Sequence, residues 1–94
     1  VRDVHAIVEE DRELTELVPE QATPEQARIA ERVAALIPDG ATLQMGIGAI
    51  PNGVLACLAD HRDLGMHTEM FTDGLIPLVE NGVMTGRLKS VHPG

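Results

Sequence analysis

Ala41-Thr42-Leu43-Gln44-Met45-Gly46-Ile47-Gly48-Ala49-Ile50-Pro51-Asn52 decides how the chain folds. Ala41 to Met45 reads as a short strand. Gly46 to Pro51 reads as a glycine-rich loop, and a helix follows from about Pro51 to Asp60 with Val54, Leu55 and Leu58 on one face. A strand, a tight glycine turn and a helix in immediate succession form the βα half of a parallel α/β unit. The remaining sequence shows whether that unit repeats.

Upstream, Thr23 stands as an N-cap, Pro24 suits the first helical position and Gln26 completes a Thr-x-x-Gln capping box. Ile29, Val33, Leu36 and Ile37 then recur at helical spacing, widened by Ala30 and Ala34, with Arg28, Glu31 and Arg32 facing away. Pro38-Asp39-Gly40 ends this helix in a turn. Further upstream, Glu9 to Thr23 is carboxylate-rich and lacks periodicity, which reads as a solvated acidic connector. Val4 to Val8 is β-branched-rich and reads as a strand. Downstream, Met66 to Met70 reads as a strand and Thr72-Asp73-Gly74 as the cap of a third helix, with Asp73 as the capping side chain. Leu75, Leu78 and Val79 form that helix's apolar face and Gly82 its end. Leu88 to Val91 is a candidate for one further strand.

From residue 23 the order is helix, strand, helix, strand, helix, strand. Short connections between alternating elements predict a parallel sheet with helical crossovers, an α/β fold. Ligands of such sheets bind beyond the carboxyl ends of the strands. Composition narrows the function. With 15 acidic against 7 scattered basic residues the net charge is −8, unlike a nucleic-acid surface or a partner of anionic membranes. The long uncharged run from Ala41 to Ala59 contains three glycines and a proline and does not read as a membrane span. Cys57 is alone, so no internal disulfide forms and a cytosolic setting is expected; within its helix it reads as a small core residue. His5, His61 and His92 lack metal-site spacing, and His67 reads as a packed or half-exposed strand residue, so no metal ligands are expected. Val1 in place of an initiator Met and the closing His92-Pro93-Gly94 lead to the expectation of a piece of a longer protein.

Two segments at strand ends carry candidate chemistry. Gly46 and Gly48 lack Cβ, so the backbone can approach a ligand, and the amides of Asn52, Gly53 and Val54 are expected to point back into the loop. Exposed amides at a helix start favour a phosphate, a carboxylate or a developing oxyanion. A bare Gly-x-Gly is more often a plain βα turn. It is no dinucleotide fingerprint, because Pro51 replaces the third glycine, and no P-loop, because no Gly-Lys-Ser/Thr follows. Glu69 stands among Met66, Met70 and Phe71 where a short strand should end. A carboxylate there is either an exposed polar residue or a nucleophile, acid or base in a site.

Taken together, residues 39–52 and the stretch Asp63 to Gly74 resemble the signature blocks of the acetyl-CoA hydrolase/transferase family, of the 4-hydroxybutyrate CoA-transferase kind. Thr85-Gly86 and His92-Pro93-Gly94 fit as well. The resemblance implies residues 1–10 as the terminal strand of a first α/β domain, 11–22 as the linker and 23–94 as the opening of a second CoA-transferase domain. It implies Glu69 as nucleophile and Gly46, Ile47, Gly48, Ala49, Ile50, Pro51 and Asn52 as the segment lining the CoA thioester site. No cofactor is implied at rest, and coenzyme A is a substrate alongside acyl groups and small carboxylates. The implied reaction is CoA transfer through a glutamyl-CoA thioester on Glu69. Acyl-CoA hydrolysis, and a non-catalytic module docking through its sheet edge, are the alternatives. A homo-oligomer is expected, without nucleic-acid or membrane partners. Members of the family usually carry Ala at position 53; Gly53 implies a slightly less rigid loop.

Overall fold

A computed structural model describes residues 3–18 and 21–94. Its first regular element is α1, Pro24–Ala34, and the capping box forms as expected. The Gln26 amide donates to Thr23 Oγ1 at 3.3 Å, and the Thr23 amide donates to Gln26 Oε1 at 2.8 Å. Two donors that would otherwise lack partners are thereby satisfied.

The buried stripe of α1 differs from the expected one. Ala30 and Ala34 are buried, whereas Ile29, Val33 and Leu36 are exposed. The reason lies in the opposing helix α2, Ala49–Ala56, which presents Gly53 to α1. A Cβ on Gly53 would stand 3.0 Å from the Ala30 Cβ, so the two backbones approach closely only because both residues are small. Gly53 therefore serves helix packing, beyond the loop flexibility expected of it. The large aliphatic side chains of α1 flank this contact and stay outside.

β1, Thr42–Leu43, and β2, Gly65–Met66, are parallel, pairing Thr42 with Gly65 and Leu43 with Met66. A parallel bridge between Leu64 and Met84 adds one rung of a further strand. The α/β reading and the parallel sheet with helical crossovers therefore hold, with strands shorter than expected. Pairing of the segment expected at 66–70 ends when the His67 amide donates to the Leu43 carbonyl at 2.8 Å. The final element, α3 (Ile76–Glu80), follows a 3-10 turn at Asp73–Leu75. Asp73 lies inside that turn and does not cap it; Thr72 holds the N-cap position. Gly82 ends α3 as expected, at a φ of 71° that favours glycine.

Other expectations are corrected. Val4 to Val8 forms no strand, because it finds no partner among the described residues and lies exposed. Leu88 to Val91 also forms no strand; Arg87 and Leu88 make a turn instead. Pro19 and Glu20 of the acidic connector lie outside the described residues. Cys57 is exposed, because α2 and the turn that follows it direct Val54, Leu55 and Leu58 inward. These three pack with Leu64, Leu75 and Leu78 in one core between the sheet and its helices. Opposite the strands' carboxyl ends, two connections are latched together. Gly40 N–H donates to the Arg62 carbonyl at 2.9 Å, and Arg62 N–H donates to Asp39 Oδ1 at 2.8 Å. No helix among the described residues is long and apolar enough to cross a membrane.

Candidate functional site

β1 and β2 are neighbours and parallel, so the chain leaves both at the same end of the sheet. Gln44 follows β1 directly, and His67, Thr68 and Glu69 follow β2. The Thr68 hydroxyl donates to the Met45 carbonyl at 2.9 Å, tying the two exits together. An open groove of about 670 Å³ lies here, lined by Gln44, Met66, His67, Thr68, Glu69, Lys89 and His92. Glu69 is exposed on its wall.

The last ten residues close this groove on one side. The Thr85 and Gly86 amides both donate to the Leu64 carbonyl at 3.0 Å, so the chain returns beside β2. Gly86 adopts a φ of 67°, and the Gly94 amide donates back to its carbonyl at 3.1 Å. That loop sets the His92 ring on the exposed His67 ring, with centroids 6.3 Å apart and planes within 13°. His67 is therefore a groove residue, not a packed strand residue. The loop is pinned at its start by a fork of two ionic hydrogen bonds. Arg87 Nε lies 2.5 Å from Asp63 Oδ1, and Arg87 Nη2 lies 2.6 Å from Asp63 Oδ2. The guanidinium holds the Asp63 carboxyl below its usual range, and Asp63 in turn raises Arg87.

The glycine loop starts its helix earlier than expected. Gly48 is the N-cap of α2, with φ 120° and ψ −178°, a conformation that L side chains rarely adopt. Asn52, expected to offer a free amide, donates it to the Gly48 carbonyl at 3.1 Å. The amides without intrahelical acceptors are those of Ala49 and Ile50, and Pro51 contributes none. A Cβ at Gly46 or Gly48 would meet nothing within 4 Å, so the outer face of the loop is open. None of Gly46, Ile47, Gly48, Ala49, Ile50, Pro51 or Asn52 lines the groove that holds Glu69. The loop adjoins it through Met45 and the Thr68 bond. Asn52 Oδ1 is buried without a partner, turned away from solvent.

Three groove residues escaped the sequence reading: Gln44, Lys89 and His92. Lys89 carried a usable signal, as the single lysine of a chain with net charge −8. Gln44 and His92 carried none, because only the parallel pairing and the return at Gly86 bring them to Glu69. Among the described residues no cluster of His, Cys, Asp or Glu has the arrangement of a metal site.

No family model matches the chain. It is 47% identical over its whole 94 residues to 4-hydroxybutyrate coenzyme A transferase of Clostridium kluyveri, of which it spans 22%. It is 48% identical over 80 residues to succinyl-CoA:acetate/propanoyl-CoA:succinate CoA transferase of Fasciola hepatica, covering 84% of this chain and 17% of that protein. Among solved structures it resembles RipA from Yersinia pestis with a TM-score of 0.80 at 46% identity, covering 86% of this chain and 19% of that one. A 4-hydroxybutyrate CoA-transferase from Porphyromonas gingivalis gives a TM-score of 0.70 at 45% identity over 81% of this chain and 20% of the other. The chain thus spans about a fifth of the length of the curated relatives it matches.

Proposed function

Because this chain is homologous along its length to a segment of CoA-transferases of the 4-hydroxybutyrate type, we propose that it supplies the nucleophile of such an enzyme. In this reading Glu69 attacks the carbonyl carbon of an acyl-CoA. A C–O bond forms, the C–S bond breaks, and CoA leaves as a thiolate, giving an acyl-glutamyl anhydride. The thiolate then attacks the glutamyl carbonyl and releases the free carboxylate, leaving Glu69 as a CoA thioester. A second carboxylate attacks that thioester, and the same steps in reverse deliver a new acyl-CoA. Splitting the exchange in this way keeps the thioester energy on the enzyme.

The single observation that carries this is the placement of Glu69. It stands in an open groove at the carboxyl ends of two parallel strands, with its loop bonded to the exit of β1. The Ala49 and Ile50 amides beside open glycines suit the oxyanion of the acyl-transfer steps. Residues Gly46 to Asn52 are accordingly proposed to flank the CoA thioester. Residues 1–10, 11–22 and 23–94 are proposed as the end of one domain, a linker and the start of the next. Support comes from the core, whose buried members all fall between Ala30 and Met84, and from the exposure of residues 3–18. A cytosolic setting and a homo-oligomer belong to the same proposal.

The test is covalent trapping on the full-length protein. Incubation with acyl-CoA should give a CoA-sized mass increase, or a hydroxamate after hydroxylamine, on the peptide containing Glu69. Glu69→Ala should lose the adduct and lower transfer by at least about a thousandfold, a scale typical of removing a covalent nucleophile. Activity retained in Glu69→Ala defeats the reading. Release of free acid without transfer to acetate would identify a hydrolase instead.

A further inference from the structure

Lys89 is the single lysine of a strongly acidic chain, and its place is unusual. Its stem lies across Gly65 of β2, where a Cβ would stand 2.5 Å from Lys89 Cγ and 3.0 Å from Cδ. The absence of a side chain at Gly65 is therefore what lets the lysine lie flat over the strand. The seat is reinforced from the backbone, since the Lys89 amide donates to the Gly86 carbonyl at 3.2 Å. It is reinforced again two residues earlier by the Arg87 fork on Asp63. The side chain runs into the groove that contains Glu69.

Of the described cations, Arg12, Arg28 and Arg87 are paired with Glu10, Glu25 and Asp63 respectively, and Arg32 and Arg62, which make no ion pair among the described residues, do not line the groove of Glu69. Lys89 makes no ion pair among the described residues, although its stem is partly buried and its course is fixed. A charged head held without a partner, on the wall of a groove with a nucleophilic carboxylate, is arranged for an anion brought by a substrate.

We propose that Lys89 binds the carboxylate of the acid that accepts CoA and aims it at Glu69. This rests on the proposed CoA-transferase reading and names the group that recognises its second substrate. The chemistry favours the carboxylate over the phosphates of CoA. Those phosphates are joined to the reacting sulfur by the long pantetheine arm, whereas Lys89 shares one groove with the side chain that reacts. The step also needs a cation. An acid anion must approach the reacting centre of a chain of net charge −8. In that step a carboxylate oxygen bonds to the γ-carbonyl carbon of the Glu69 thioester, the C–S bond breaks and thiolate departs. One anion enters and one leaves, so Lys89 stays protonated and transfers nothing. Gln44, which lines the same groove, offers a neutral amide donor for the second carboxylate oxygen.

The experiment is steady-state exchange by the full-length protein with acyl-CoA and acetate, comparing Lys89→Met and Lys89→Arg. Losing a charge-assisted hydrogen bond should raise KM for acetate about 10- to 100-fold in Lys89→Met, with KM for acyl-CoA changed less than about twofold. Lys89→Arg should recover most of the loss. Hydroxylamine, an uncharged acceptor, should cleave the glutamyl-CoA adduct equally fast in all three proteins. An unchanged acetate KM in Lys89→Met overturns the proposal, as does a rise confined to acyl-CoA. The adduct on Glu69 is measured in parallel by mass. If unaltered protein forms none, the transferase reading itself has failed. If the adduct forms and acetate binding ignores Lys89, only the role of Lys89 has failed.

Discussion

Asp63 adopts a φ of 56°, which a short polar side chain tolerates better than a branched one, and its carboxylate is gripped twice by Arg87. The Thr85 hydroxyl donates to it as well, at 3.3 Å, and Arg62 lies near enough to add to the field. These contacts tie the start of β2 to the segment that carries Lys89 and His92. The hydrogen bond and charge of Arg87 lower the Asp63 pKa. A lowered carboxylate stabilises the fold fully above its unfolded value of ~3.9, and that contribution disappears as pH falls through the folded value. Arg87→Ala is therefore expected to lower the urea midpoint at pH 7 modestly, since the guanidinium is largely exposed. At acid pH, below the lowered folded value, the two proteins should converge, because the carboxylate is then protonated in both. A midpoint difference unchanged between the two pH values would show that the fork contributes by packing and not by charge. The single-residue features differ in what the sequence revealed. Glu69 stood out because a carboxylate is a poor strand residue among apolar neighbours. His92 did not, because its position depends on a chain reversal at Gly86 that no local pattern encodes, and Lys89 was marked only by being the single lysine.

Among the elements, the α1–α2 crossing makes the sharpest demand. Gly53 faces Ala30 so closely that an added Cβ would stand at 3.0 Å. Gly53→Ala sets a helix-propensity gain of ~0.5–1 kcal/mol against that crowding, and the two should nearly cancel. Gly53→Val adds a branch that cannot be absorbed and should destabilise by about 1–3 kcal/mol in chemical unfolding. Ala30→Gly should recover part of that loss if the contact is the cause, and no recovery would refute the close crossing. This crossing also explains what was legible at the scale of elements. The capping box and Pro24 placed the start of α1 correctly, because they are local chemistry, whereas the helix ends at Ala34, short of the turn at Pro38-Asp39-Gly40. The periodicity was right for only part of the stripe: Ala30, Ala34 and Ile37 face the core, whereas Ile29, Val33 and Leu36 do not. Periodicity reports which residues are apolar, not which of them meets a neighbour, and here the neighbour is a glycine that only alanines can approach. The glycine loop shows the same limit. Its location was evident, but helix α2 begins at Ala49 instead of Pro51, which moves the free amides from Asn52, Gly53 and Val54 to Ala49 and Ile50.

At the scale of the whole molecule, surface is the deciding quantity. The chain exposes 7731 Å², whereas a compact protein of 10.1 kDa exposes ~5,300 Å². Part of the excess comes from residues 3–18, where Leu14 is 96% exposed and Leu17 87%. More comes from the turn after α1, where Leu36 is 82% exposed, and from Phe71 near Glu69, at 68%. Each of these side chains loses favourable burial that a partner surface would restore, at roughly 25 cal/mol per Å². Exposure on this scale, together with a β1 whose outer edge has no strand partner among the described residues, favours association between copies. The 94 residues expressed alone should therefore sediment as concentration-dependent assemblies, and a sharp monomer across a tenfold concentration range would count against this. They should also show no CoA exchange, even though Glu69 is present. A single wall supplies the nucleophile and the proposed acid-binding lysine, but it cannot exclude water from a thioester or hold the pantetheine arm. Turnover by the isolated segment would mean that the groove of Gln44, Glu69 and Lys89 is a complete site. The apolar faces would then have to serve assembly alone.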